Sequence, residues 1–163
     1  MPQDDPAPKR KPTNTEGYQL FVAASEGSAR RVRELAAAGV EVDGDLPHMP
    51  GTTALMLACM NGRLETVEAL LEAGVEVSRR NQDGWSALLF AASGSHEVAR
   101  RLVEHGADVN VRSRVTGLDG ETPLMRAASG GNRHMIRVLL EAGADVTARD
   151  EQGATVLHHA ATF

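Results

Sequence analysis

Aromatic side chains make up only 3% of this 163-residue chain, with one tryptophan, one tyrosine and three phenylalanines. A β-sandwich or barrel draws heavily on aromatic and β-branched residues, so that scarcity argues against one. With hydrophobic residues at 42%, the core must be made from alanine, leucine, valine and methionine, a set that suits closely packed helices. A single cysteine, Cys59, excludes an internal disulfide and a multi-thiolate zinc site, and it fits a reducing compartment. No apolar run approaches the ~18 residues of a membrane span. The opening "MPQDDPAPKRKPTNTEG" has no hydrophobic segment of the kind that makes a secretory signal. The net charge of −5 is spread along the chain, so no electrostatic footprint for nucleic acid appears.

Lysine is confined to the first residues, at Lys9 and Lys11, and every later basic residue is arginine. The Pro, charged and polar residues around these lysines cannot bury enough apolar surface to order a fold. Residues 1–15 are therefore expected to be a disordered tail. Its "PKRKP" matches a nuclear-import signal in a cell with a nucleus, although such short clusters are more often simply solvated. The expected location is cytoplasmic, or nuclear in a eukaryote.

The strongest feature is internal repetition. Gly51-Thr52-Thr53-Ala54-Leu55 returns as Gly84-Trp85-Ser86-Ala87-Leu88, then as Gly120-Glu121-Thr122-Pro123-Leu124, and again as Gly153-Ala154-Thr155-Val156-Leu157. A second phrase follows the first three copies: "LLEAGVEV" (70–77), "LVEHGADV" (102–109) and "LLEAGADV" (139–146). The segment 16–42 is a weaker first copy. The units run over about 16–45, 46–80, 81–113 and 114–149, with a partial fifth at 150–163.

Each unit reads locally as two helices. The Thr or Ser after each glycine turn suits an N-cap, and Pro123 suits a first helical turn, where its missing N–H costs nothing. A short alanine-rich helix then stops at Gly62, Gly94 or Gly131. The second helix has apolar residues at helical spacing, Leu64, Val67, Leu70 and Leu71 in the second unit and Ile136, Leu139 and Leu140 in the fourth. It ends at Gly39, Gly74, Gly106 or Gly143, as glycine favours a helix C-terminus. The third unit is one residue shorter than the second between its helices (Ala91–Gly94 against Ala58–Gly62).

The pattern Gly-x-Thr-Pro-Leu-x-x-Ala-Ala, helix, "LLEAGADV", at a 33-residue period, strongly resembles the ankyrin repeat. The resemblance covers residues 16–163. It implies an all-α fold: a curved solenoid of helix–turn–helix units with projecting β-hairpin loops, stabilised by contacts between neighbouring units. The histidine usual after Thr-Pro-Leu is replaced by Phe21, Met56, Leu89 and Met125 and survives only as His158, so apolar packing must take its place in four units. The chain stops after the first helix of the fifth unit, which reads as a fragment or as a half-repeat with an exposed apolar edge.

Catalytic patterns are scarce. His96 and His105 are nine positions apart rather than the four of a zinc-protease helix, which places them on opposite sides. Gly130-Gly131 is not followed by the Lys-Ser/Thr pair of a phosphate loop. Asp43, Asp45, Asp83, Asp119 and Asp150 fall in turns, where short carboxylates bond to the local backbone. His158 and His159 would point about 100° apart on a helix, with His159 on the exposed side. The expectation is therefore a non-enzyme with no cofactor and no metal.

The resemblance implies a protein partner meeting the loop tips and the concave face made by the first helices. The positions it marks are Met49, Thr52, Gln82, Asp83, Trp85, Leu118 and Glu121 at the tips and Met60 at a first-helix end. Trp85 is expected to be the anchor, with packing on the longer loops 43–51 and 111–120 as the alternative. Arg80, Arg112 and Arg149 share one repeat position and could stack into a basic stripe that receives an acidic partner, although such a stripe is more often a solvated face. The resulting reading is a protein-interaction module, expected to be monomeric and able to associate end to end through the last half-repeat, with no nucleic-acid or membrane partner. The alternative is a regulatory or targeting part of a longer enzyme.

Overall fold

A computed structural model describes residues 14–46, 48–114 and 120–161, with side chains from residue 16 onward. The described residues form nine helices: α1 (Asn14–Glu26), α2 (Ala29–Ala37), α3 (Ala54–Met60), α4 (Leu64–Glu72), α5 (Ala87–Ala91), α6 (His96–Glu104), α7 (Pro123–Ser129), α8 (Arg133–Glu141) and α9 (Val156–Ala160). Helix α1 starts at Asn14, so the rest of the expected tail lies outside the described residues.

The helix starts follow from the caps. Thr53, Ser86 and Thr122 accept the backbone N–H of Met56, Leu89 and Met125 through their hydroxyls at 3.3, 3.4 and 3.3 Å. Pro123 occupies the first turn of α7. His158 closes α9 from the other side, its Nδ1 accepting the Thr155 amide at 3.1 Å. This is the one unit that keeps the family's histidine. In the other four, Phe21, Met56, Leu89 and Met125 are buried, so apolar packing does replace it.

Helices of five to nine residues are unstable alone in water. Here each is held by its neighbours. The first helices form one row, α1–α3–α5–α7–α9, and the second helices another, α2–α4–α6–α8, with the two helices of each complete unit packed together. Ala58, Ala91 and Ala127 are fully buried, and these small side chains let the two rows approach closely. The second helices contribute Val32, Val67, Leu70, Val98, Leu102, Met135 and Leu139 to the same continuous core.

Leu71 and Leu140 show how far this core depends on the next unit. They hold the same repeat position, yet Leu71 is 8% exposed and Leu140 45%. Leu71 is covered by the following helix pair, whereas α8 has no second helix beyond it among the described residues. Leu157 is 76% exposed for the same reason, while its counterparts Leu55, Leu88 and Leu124 are buried.

The projecting loops are tighter than β-hairpins. Among the described residues they hold only isolated bridges, Leu46–Met49 and Arg80–Ser86, and no extended strand. Their polar side chains link one unit to the next. Asp43 accepts the Glu76 amide at 2.9 Å and Asn110 accepts the Asp145 amide at 2.8 Å. Arg79 donates to the Asp43 carbonyl and pairs with Asp45 at 2.6 Å. The aspartates at 43 and 45 thus bond across units rather than only to their own turn. Asp150 does bond locally, accepting the Ala154 amide at 2.8 Å.

The missing residue of the third unit changes a helix terminus. In the second and fourth units the inter-helix turn closes with bonds from Arg63 N–H to Ala58 and Asn132 N–H to Ala127, and Gly62 and Gly131 have φ of +63° and +61°. In the third unit α5 stops early at Ala91, Gly94 donates to Ala91, and Gly94 has no positive φ. Ser95 compensates by capping α6, its hydroxyl accepting the Val98 amide at 3.3 Å, a bond for which Arg63 has no equivalent.

Candidate protein-binding surface

The positions expected at the loop tips divide sharply by burial. Met49 is 47% exposed and Met60 53%, and Gln82 and Asp83 are exposed. Thr52 is only 2% exposed and Glu121 5%, so neither offers a side chain to a partner. Leu118 lies outside the described residues. Met49, Thr52, Gln82, Asp83 and Glu121 lie in turns and Met60 ends α3, but their burial depends on what packs over them.

Trp85 is the centre of a constellation joining the third and fourth units. Its ring is half-buried in the turn before α5 and meets Phe90 of the same helix at 4.8 Å between centroids, tilted by 53°. From the fourth unit, the Arg126 guanidinium stacks over the indole at 4.1 Å. Arg126 also pairs with the buried carboxylate of Glu121 and donates to the Ser93 hydroxyl at 2.8 Å. A planar guanidinium can stack on a ring and donate in its own plane at once, which lysine cannot do. The indole Nε1 is buried without a hydrogen-bond partner. The tryptophan therefore packs one part of its surface between units and leaves another part exposed. The residue that sequence reading missed is Arg126, four positions after the cap Thr122; its role becomes visible only when α7 is laid beside α5.

The other singled-out groups also have definite places. The stripe expected of Arg80, Arg112 and Arg149 does not form as one row. Arg149 turns back to the Gly153 carbonyl at 2.8 Å, and Arg112 reaches the Arg149 carbonyl. Arg80 stands 3.5 Å from Asp108. His159 is not on the exposed side: its Nε2 lies 2.8 Å from Asp150 and its Nδ1 3.0 Å from the Ser129 hydroxyl. His96 stacks on His134 of the next unit at 5.1 Å, and His105 Nδ1 lies 2.8 Å from the Arg101 carbonyl, so both histidines of α6 and its cap have structural contacts. Among the described residues no cluster of three or more His, Cys, Asp or Glu is placed to hold a metal, and no helix is long and apolar enough to cross a membrane.

Two parallel rows of short helices, stabilised unit on unit and presenting one face of turns and first helices, define a repeat solenoid. The chain belongs to the ankyrin-repeat family: models for ankyrin repeats match residues 20–113 (3 copies) and 102–160 (many copies). It is 39% identical over 143 residues to the E3 ubiquitin-protein ligase KEG of Arabidopsis thaliana, covering 86% of this chain and 8% of that protein. It is 36% identical over 93 residues to ankyrin repeat and SOCS box protein 5 of Oryctolagus cuniculus (56% of this chain, 27% of the relative). Ankyrin repeat and SAM domain-containing protein 6 of Rattus norvegicus is 41% identical over 113 residues (65% and 11%). The chain thus spans about a quarter or less of these relatives. The ankyrin repeat is a non-catalytic interaction fold, and such repeats generally serve as protein–protein interaction modules.

Proposed function

We propose that this chain binds a partner protein on the face formed by its first helices and projecting turns, without catalysing a reaction itself. The observation that carries the reading is the exposure of two methionines, Met49 at a loop tip and Met60 at the end of α3, which with Tyr18 of α1 are the exposed large apolar side chains of the first three units among the described residues. Methionine is flexible and polarisable, and adapts well to a partner's apolar surface. Gln82, Asp83 and the open edge of Trp85 supply a polar rim and an aromatic contact. A reducing compartment, such as the cytoplasm, suits the lone buried thiol of Cys59.

Affinity capture with mass spectrometry tests this reading, using wild type, Met49→Glu, Met60→Glu, Trp85→Ala and, as a control on the second-helix row, Arg137→Glu. Loss of one captured protein in the methionine variants, with retention in Arg137→Glu, is the expected pattern. Capture that survives both methionine substitutions while each variant stays folded would refute the assigned face. A second reading is favoured by the relatives, of which this chain matches only a small part: the stack serves as the targeting or regulatory portion of a longer enzyme. The intact mass of the native protein distinguishes that case, because a longer product carrying this sequence is then required.

A further inference from the structure

The turns of the third, fourth and fifth units enclose a groove of about 360 Å³ lined by Arg80, Asn110, Arg112, Ser113, Arg114, Gly120 and Glu151. Three of these side chains are cationic and one is anionic. Two of the arginines lie close against turn glycines. A Cβ on Gly84 would come within 2.9 Å of Arg114 Cγ, and one on Gly120 within 2.8 Å of Arg112 Nη2. The turn glycines thus admit the Arg114 stem and the Arg112 guanidinium against the backbone. The Arg114 amide is fixed as well, donating to the Asp83 carbonyl at 2.8 Å.

The charges left over point outward. Among the described residues the Arg114 guanidinium has no ion-pair or hydrogen-bond partner, and Glu151, in the same groove, forms no ion pair. Arg80 meets Asp108 only at 3.5 Å, with both side chains well solvated, and Asp145 is the other carboxylate whose charge is felt at Arg112. Such loose pairs in water contribute little and exchange readily for a better acceptor. Guanidinium groups present paired N–H donors that match the two oxygens of a carboxylate or a phosphate.

We propose that this groove is an oxyanion subsite that takes an acidic or phosphorylated side chain of a bound peptide. The oxyanion displaces Asp108 from Arg80 and recruits the free guanidinium of Arg114, while Arg112 keeps its bond to the Arg149 carbonyl. Assigning the ligand to a peptide rests on the interaction reading above; the oxyanion chemistry rests on the groove alone. The subsite also differs from the stripe suggested by repeat position, because Arg114 stands in for Arg149.

The test uses the chain and three blocked glycine–serine pentapeptides bearing a central glutamate, phosphoserine or glutamine. Binding is followed by NMR of arginine Nε–Hε and backbone amide groups. The glutamate or phosphoserine peptide is expected to shift the signals of Arg80, Arg112, Arg114 and Gly120 together, and whichever binds more tightly identifies the source of the oxyanion. Arg114→Gln is expected to weaken that binding about fivefold, the scale of one exposed charge contact, with an unchanged melting temperature. Affinity should also fall as salt is raised from 0.05 to about 0.3 M. Equal shifts with the glutamine peptide, shifts scattered over all arginines, or unchanged affinity in Arg114→Gln would each overturn the subsite. Since the probes need no natural partner, that failure would leave the wider docking face standing, and capture that survives the methionine substitutions, which refutes that face, would leave the subsite standing.

Discussion

The Arg126 guanidinium lies 4.1 Å from the centre of the Trp85 ring, and the two residues come from neighbouring units. The contact sits where the third unit's first helix is short, since α5 has five residues against seven in α3 and α7. What α5 lacks in length is compensated by the stack, by the Arg126–Ser93 bond and by the Glu121 pair.

Removing the arginine should therefore do more than remove one surface charge. Arg126→Ala loses a cation–π contact worth about 1 kcal/mol. It also leaves the buried Glu121 carboxylate without its cation, which costs about 2 kcal/mol more. Urea denaturation should show a loss of roughly that sum, about 3 kcal/mol. Arg126→Lys keeps the charge but cannot stack and donate in plane, so it should fall between the two. A double-mutant cycle with Trp85→Ala isolates the stack, and a coupling energy near zero would show that Trp85 and Arg126 are neighbours without being partners.

Two glycines at left-handed positions should respond very differently to alanine. Gly143 has φ +87° and open space around it, so Gly143→Ala costs only the backbone strain, about 1–2 kcal/mol. Gly51 has φ +76°, and a Cβ there would lie 2.7 Å from Asn81 Cα and 3.1 Å from the Arg80 carbonyl oxygen. Those atoms are backbone of the next unit's turn and cannot rotate away. Gly51→Ala should cost on the order of 3 kcal/mol or more, measured by thermal or urea unfolding. Equal costs at the two sites would mean that the turns can slide apart at no penalty.

The repeat phase, the caps at Thr53, Ser86 and Thr122 and the altered third turn were legible in the sequence because each depends on residues within a few positions. The face that carries the exposed methionines was legible at the same level, as a set of repeat positions. Burial of Thr52 and Glu121 was not, because it is decided by what packs over the turns once the helices are assembled. Glu121 looks like an exposed turn residue until Arg126, five positions on, folds back over it and over Trp85. His159 misleads for a similar reason. Its helix is short and its environment is set by Asp150 in the preceding turn and Ser129 in the preceding unit, not by helix geometry. The shift from Arg149 to Arg114 in the groove also lies beyond repeat position, since Arg114 lies close against Gly84 of the unit before.

Cys59 gives a prediction about reactivity. It is fully buried, and burial pushes its thiol well above the ordinary cysteine range, so the reactive thiolate is suppressed. The folded chain should not react with a thiol reagent at pH 8, and reaction should appear only as denaturant unfolds it. Cys59→Ala should cost about 1 kcal/mol for a small lost volume. Cys59→Ser should cost more, about 2 kcal/mol, because it buries a hydroxyl among apolar neighbours. Rapid labelling under native conditions would show that the second unit opens locally.

Acid should weaken the last unit first, through Asp150. Burial by itself would raise this carboxyl, but the His159 ring, the Ala154 amide and the Gln152 amide bond to its charged form and offset that, leaving it below the usual carboxylate range. A carboxyl depressed in the folded state binds fewer protons there than in the unfolded chain. Its contribution to stability is thus fully present above the unfolded value near pH 4 and is lost as pH falls through the folded one. Asp150→Asn keeps the shape but removes the titration. Wild type should lose more stability than Asp150→Asn between about pH 5 and pH 2, while near pH 7 the variant should be the less stable of the two. Amide exchange can locate the effect, since α9 and the turn before it should lose protection in acid before α3 or α4 do. Identical acid slopes for the two proteins would show that Asp150 titrates alike in the folded and unfolded chain, and that its bonds to His159 and Ala154 do not favour the charged form.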